Sequence, residues 1–313
     1  MRRTPITLFA IMILSGVLFV CQPVGALTLL PSINDLTMEA GGSTEVMINV
    51  VNEEDADYQL SFDVNDVRFT RSGIPQFVED SENQDDPSSI VGWFKLPFEN
   101  YDLSAGTELA LDARIDVPSG TAPGGYYAAV LVRRKPVNDP LNNDEFEAKI
   151  EAQGAVLVYI TVKGDVKGAY AITEVQPLKK VYFSLPIEFV FKLQNEGNVH
   201  LQPHGLVSVT NVLTDKVEAS ILFNEDSVYL MPKTDKEFSV VWDTSSASGM
   251  DLRFGKYRAD VAISAQYGGV YQTQLTFWIV PVPALAVVAF VFLVVLVTLL
   301  IVRKRLILKA KKS

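Results

Sequence analysis

Apolar and polar residues alternate along much of this chain. Val46, Ile48 and Val50 fall on one side of Thr44–Val51, and Leu60, Phe62 and Val64 on one side of Tyr58–Val64. A period of two over such a run marks a half-buried β-strand. The same pattern predicts strands over Leu109–Val117, Ile187–Leu193, Gly205–Val212, Phe238–Trp242, Tyr257–Ala265 and Val270–Ile279, with a hairpin turn at Gly268-Gly269 before the last. Tyr126–Val132 is apolar at nearly every position, as a central strand would be, and Gln153–Val162 follows it. Helical periodicity is almost missing here. Short strands at this spacing predict an all-β chain of antiparallel, immunoglobulin-like sandwiches.

Two internal matches sharpen this into a duplication. EVMINVVNE at 45–53 matches EFVFKLQNE at 188–196 at an offset of 143, and GYYAAVL at 125–131 matches GKYRADV at 255–261 at an offset of 130. The first copy therefore carries 13 more residues between its two anchors, and the acidic stretch Val78–Ile90 is the natural place for them. The expected domains are 27–165 (outer) and 166–280 (membrane-proximal), joined at Gly164–Gly168.

The ends read differently. Arg2 and Arg3, the apolar run Ile6–Val20 and the small residues of Val24-Gly25-Ala26 make residues 1–26 a secretory signal peptide. From Ala284 to Val302 run 19 uncharged, apolar residues, enough to cross about 30 Å of hydrocarbon. Phe277 and Trp278 precede the span as expected headgroup-layer aromatics. The basic tail 303–313, with Arg303, Lys304, Arg305, Lys309, Lys311 and Lys312, marks the cytoplasmic side. The expectation is a single-pass protein of the cell membrane: transmembrane helix 281–302, ectodomain outside, tail in the cytoplasm.

Charge narrows the partners. Of 27 basic residues, 8 lie in the two ends, so residues 27–280 hold 19 against all 37 acids, a net charge of −18. That sign disfavours nucleic acid, whose phosphates need Lys and Arg. The single cysteine lies in the signal peptide, leaving the expected mature chain without thiol or disulfide chemistry.

Candidate chemistry is sparse. Both histidines, His200 and His204, lie in NEGNVHLQPHG (195–205) at the four-residue spacing that two metal ligands take on a helix. Pro203 forbids that helix, so the stretch reads as a surface turn, with Gly197 and Asn198 supplying left-handed backbone. No nucleophile elbow or phosphate loop is present, and the acids single out no catalytic pair. The chain reads as a non-enzyme without cofactor. The loop Lys135–Glu145 is the candidate ligand-binding segment: Asn138, Asp139, Asn142, Asn143 and Asp144 carry oxygens suited to calcium or to a polymer. Trp93, just after the acidic stretch, reads as a core anchor.

Strand-ending Asn52, PSGTAPGGYYAA at 118–129 and the NEGN turn at 195–198, set between a signal peptide and a helix with a basic tail, resemble the layout of the WxL-interacting surface proteins of Gram-positive bacteria. That resemblance implies a peptidoglycan-binding domain followed by a host-binding domain. The expected function is a cell-surface binding or adhesion protein that engages cell-wall polymer or another surface protein through its first domain. The alternative is a membrane-tethered assembly chaperone that receives partner strands on exposed edges; a tethered hydrolase is a third reading.

Overall fold

The computed structural model describes residues 27–78, 89–137, 152–177, 179–243 and 253–310. Ten strands build the first sandwich. One sheet holds β1 (Leu27–Leu30), β3 (Ser43–Asn52), β8 (Glu108–Asp116) and β6 (Phe94–Lys95), in that order. The other holds β2 (Ile33–Met38), β10 (Ala152–Val162), β9 (Gly124–Pro136), β4 (Tyr58–Phe69) and β5 (Pro75–Val78), with β7 (Asn100–Leu103) also paired to β4. The second sandwich sets β11 (Tyr170–Pro177), β13 (Ile187–Asn195) and β16 (Asp235–Trp242) against β12 (Val181–Tyr182), β18 (Gly269–Ile279), β17 (Gly255–Ala265), β14 (His204–Asn211) and β15 (Lys216–Phe223). The chain is thus all-β, two tandem immunoglobulin-like sandwiches followed by one helix.

The copies share an entry. β1 runs antiparallel to β3, after which β2 crosses to the other sheet and runs parallel to β10. β11 and β12 repeat this crossing on β13 and β18.

Alternation does what it predicts. Val46, Ile48 and Val50 are buried along β3, and Ile187, Phe189, Phe191 and Leu193 along β13, each in the core of its own sandwich. A fully buried side chain of this size contributes about 1.5–3 kcal/mol. Trp93 is also in the first core.

A second duplication is polar. Asn52 ends β3 and Asn195 ends β13; both are buried. Asn52 Oδ1 accepts the Glu54 N–H at 3.1 Å, while its Nδ2 donates to Ala56 O at 2.8 Å and Ser104 O at 3.0 Å. Asn195 Oδ1 accepts the Gly197 N–H at 2.8 Å, and its Nδ2 donates to Val199 O at 2.8 Å and Leu230 O at 3.0 Å. One buried amide in each copy satisfies three backbone groups that the end of a strand would orphan.

The later repeat match needs correction by one residue. Tyr126, Ala128, Val130 and Val132 face the first core, whereas Tyr257, Ala259, Val261 and Ile263 face the second. Those faces superpose at an offset of 131. A one-residue slip turns every strand side chain to the other face, so the letters align at 130 while the folds align at 131.

The C-terminal helix α1 runs Val282–Ala310, and its Leu285–Lys304 segment is long and apolar enough to cross a membrane and wholly exposed. Phe277 does not flank it as a headgroup aromatic. It is buried in the second core, stacked on Tyr257, and Trp278 alone of the pair is exposed.

Candidate functional site

NEGNVHLQPHG is the joint between the sandwiches. Asn198 donates its backbone N–H to Lys167 O at 3.0 Å and accepts the Lys167 N–H on Oδ1 at 2.8 Å, gripping the linker. Its carbonyl accepts the Gly125 N–H at 2.8 Å and its Nδ2 donates to Pro123 O at 3.1 Å, gripping the first sandwich. The PSGTAPGGYYAA and NEGN segments thus touch each other. Gly197 is not left-handed, as the turn reading requires. It is glycine because a Cβ there would meet Lys167 O at 2.0 Å.

His200 is not on the surface. Its side chain is 5% exposed, whereas His204 is exposed at the start of β14. His200 Nε2 lies 3.1 Å from Asp35 Oδ1, and Nδ1 lies 3.2 Å from Tyr127 Oη, both groups of the first sandwich. Nε2–H donates to the carboxylate, and Nδ1 and the phenol share the second hydrogen bond. Tyr229 completes the set by donating its hydroxyl to Asp35 Oδ2 at 3.1 Å. The imidazole packs against Tyr127, Tyr159 and Tyr229 at centroid distances of 5.6, 5.4 and 5.5 Å. Such aromatic pairs add about 0.5–1.5 kcal/mol each beyond their burial. Arg71 and Asp235 bridge the joint farther out at 3.0 Å, but Arg71 is 81% exposed and the pair adds little.

The electrostatics fit a structural role. Burial works to raise the Asp35 carboxyl, yet the hydrogen bond and charge of His200 and the Tyr229 hydroxyl outweigh it, holding Asp35 below its ordinary value. Burial pushes the Tyr159 and Tyr229 phenols up to about 12, so both stay protonated and Tyr229 remains a donor to Asp35. The polar cleft above Asp35, lined also by Thr37, Gln202 and Gln266, is about 140 Å³, small beside the ~300–1,000 Å³ of ligand pockets. No group of three or more metal-ligating side chains occurs among the described residues.

The expected ligand loop, Asn138, Asp139, Asn142, Asn143 and Asp144, lies outside the described residues. The described residue Pro136 pairs with Tyr58 at the end of the first sandwich opposite the joint.

A larger feature is the open side of the second sandwich. β16 is the edge of one sheet and β15 the edge of the other. Between them runs a groove of about 380 Å³, lined by Ile221, Leu222 and Val228 on one wall and Phe238, Val240 and Val241 on the other. Glu225, Asp226 and Glu237 outnumber Lys236 along it. Among the described residues no strand pairs with the groove side of β16. In the first sandwich the corresponding strand, β8, takes β6 at Ile115 and Arg114, and Trp93, Phe94, Leu96 and Phe98 pack into the core beside it. The first copy pairs a strand on this side; in the second, among the described residues, β15 runs alongside β16 without pairing to it.

No family model matches the chain, and no curated protein does. Solved structures match the chain at low similarity. The E. coli chaperone DraB is 14% identical over 81% of this chain and 97% of its own, with a TM-score of 0.36. The Salmonella enterica SafA pilin in complex with the SafB chaperone gives 13% identity, 82% and 97% coverage, and a TM-score of 0.37. The ASH/PapD-like domain of human CEP192 gives 12%, 44% and 84%, and 0.30. Likeness of this degree speaks to none of those proteins' activities. The immunoglobulin-like fold rests on this chain's own strand order, and nothing here singles out the WxL-interacting family.

Asp35, Tyr229, Asn198 and the β15–β16 groove escape the sequence reading. One signal was available: strands 126–132 and 153–162 are apolar on both faces. Tyr127, Ala129, Leu131, Leu157 and Tyr159 form a buried or half-buried patch on the side away from the core, which calls for a cover.

Proposed function

We propose that the chain is a non-enzymatic, membrane-anchored binding protein that holds an extended segment of another surface or secreted protein along the groove side of β16. The observation that carries this is the unpaired edge itself, bordered by a groove of apolar and acidic side chains where the first copy has β6. A free edge presents a row of backbone donors and acceptors that template an added strand, and pockets beside it select alternate side chains. The acidic lining favours a segment with Lys or Arg beside its apolar residues. This is the strand-receiving function of the assembly-chaperone reading, performed at a membrane by a tethered protein. Wall-polymer binding through Asn138, Asp139, Asn142, Asn143 and Asp144 is a separate proposal, tested by whether the intact protein sediments with insoluble peptidoglycan.

The strand-binding test uses the full chain in detergent or nanodiscs and a panel of peptides alternating apolar and basic residues. Binding is expected to slow amide exchange along Lys236–Val241, and Leu222→Glu or Val241→Glu, both at exposed groove positions, is expected to weaken it about tenfold or more. Protection confined to other strands, or affinity unchanged in both variants, overturns the proposal.

A further inference from the structure

The end of the second sandwich from which α1 departs carries apolar side chains that neither core uses. Phe183, in the connection from β12 to β13, is 59% exposed; Leu213, between β14 and β15, is 71% exposed; Phe254, just before β17, is 53% exposed; Trp278, on β18, is 46% exposed. They come from separate parts of the sequence, and strand register brings them to one end. Ile187 pairs with Trp242, Asn211 with both Lys216 and Tyr257, and Gly255 with Ile279. Leu213 reaches back over this end, so that a Cβ on Gly255 would lie 3.1 Å from its Cδ1.

The helix begins here too. Val280 N–H donates to Tyr182 O at 2.8 Å, tying the last strand residues to the sandwich, and α1 starts at Val282. Five residues separate Ile279 from Leu285, where the membrane-crossing segment opens. A bilayer that receives this helix therefore lies within a few residues of Phe183, Leu213, Phe254 and Trp278. Lys179, Lys180 and Lys256 stand around the same rim, beside Tyr182 and Trp278. The opposite end of this sandwich presents instead the hydrogen-bonding NEGN turn.

We propose that this end is a lipid-contacting collar. Phe183, Leu213, Phe254 and Trp278 enter the headgroup layer while the surrounding lysines meet lipid phosphates. Aromatic and large aliphatic side chains favour that layer, and cations beside them are attracted to anionic lipids. The collar converts a single flexible tether into a seated base and fixes the axis of the sandwiches relative to the membrane. It rests on the reading of α1 as a membrane span.

The test separates the two. The full chain, with Cys21→Ser and one added cysteine at Leu213, Phe254, Val270 or Leu293, is labelled with an environment-sensitive fluorophore. It is then reconstituted in vesicles of phosphatidylcholine and phosphatidylglycerol carrying spin-labelled lipids. Leu293 reports the span; Val270, 68% exposed at the far end of the sandwich, reports bulk water. Labels at Leu213 and Phe254 are expected to be quenched at least twofold more than one at Val270, by lipids labelled near the headgroup. Quenching at Leu293 with Leu213 and Phe254 matching Val270 overturns the collar and leaves the span standing. No quenching at Leu293 overturns both.

Discussion

Asp35 and His200, 165 positions apart, meet across the joint with Nε2 3.1 Å from Oδ1. His200→Ala withdraws the donor from the carboxylate, the hydrogen-bond partner from Tyr127 and the ring from the aromatic cluster. The expected cost is about 1–3 kcal/mol of coupling between the sandwiches. Scanning calorimetry is expected to show the variant's two sandwiches melting farther apart than in the wild type; an unchanged profile contradicts this role.

Acid is expected to act at the same place. A carboxyl held below its ordinary value in the native state contributes stability that is complete above the unfolded value, about 4. That contribution is lost as pH falls through the native value. Between pH 6 and pH 3 the wild type is therefore expected to lose more melting temperature than Asp35→Asn, which has no carboxylate to protonate. Equal losses in the two proteins contradict the assignment.

The buried amides of Asn52 and Asn195 each serve three backbone groups. Removing either by alanine leaves buried polar groups unpaired, at about 2–3 kcal/mol by urea denaturation. Aspartate is expected to be worse, since it turns two donors toward carbonyls into acceptors. A cost under about 0.5 kcal/mol for Asn195→Ala rules out this role.

Gly197→Ala is expected to push the turn off the linker, because the new methyl group meets Lys167 O and backbone cannot rotate aside. A loss of about 1–3 kcal/mol is the usual scale of such overpacking. Gly92→Ala, with open space around it, serves as the matched control and is expected to be close to neutral.

Strand identity was legible where one face is buried, as in Val46, Ile48 and Val50, because period two follows directly from the pleat. The short strands β1, β2, β6 and β12 were not legible, since two to six residues give too little alternation to register. The duplicated turn could be read from NE at 52–53 and 195–196, but its purpose could not. Spacing in the chain says nothing of which loop His200 would meet, and Asp35 lies in a strand with no pattern to mark it. The one-residue error in the second match has the same root: a letter alignment is blind to which face a side chain takes.

The head-to-tail docking has an arithmetic of its own. Each copy ends a strand with a buried asparagine and a polar turn, and the second copy's turn is filled by the first sandwich. Asn52 carries the matching turn at the opposite tip of the first sandwich, the end farthest from α1, where among the described residues no other sandwich sits on it. That tip is therefore a copy of the chain's own joint, shaped like the seat that, one storey down, already holds a folded domain.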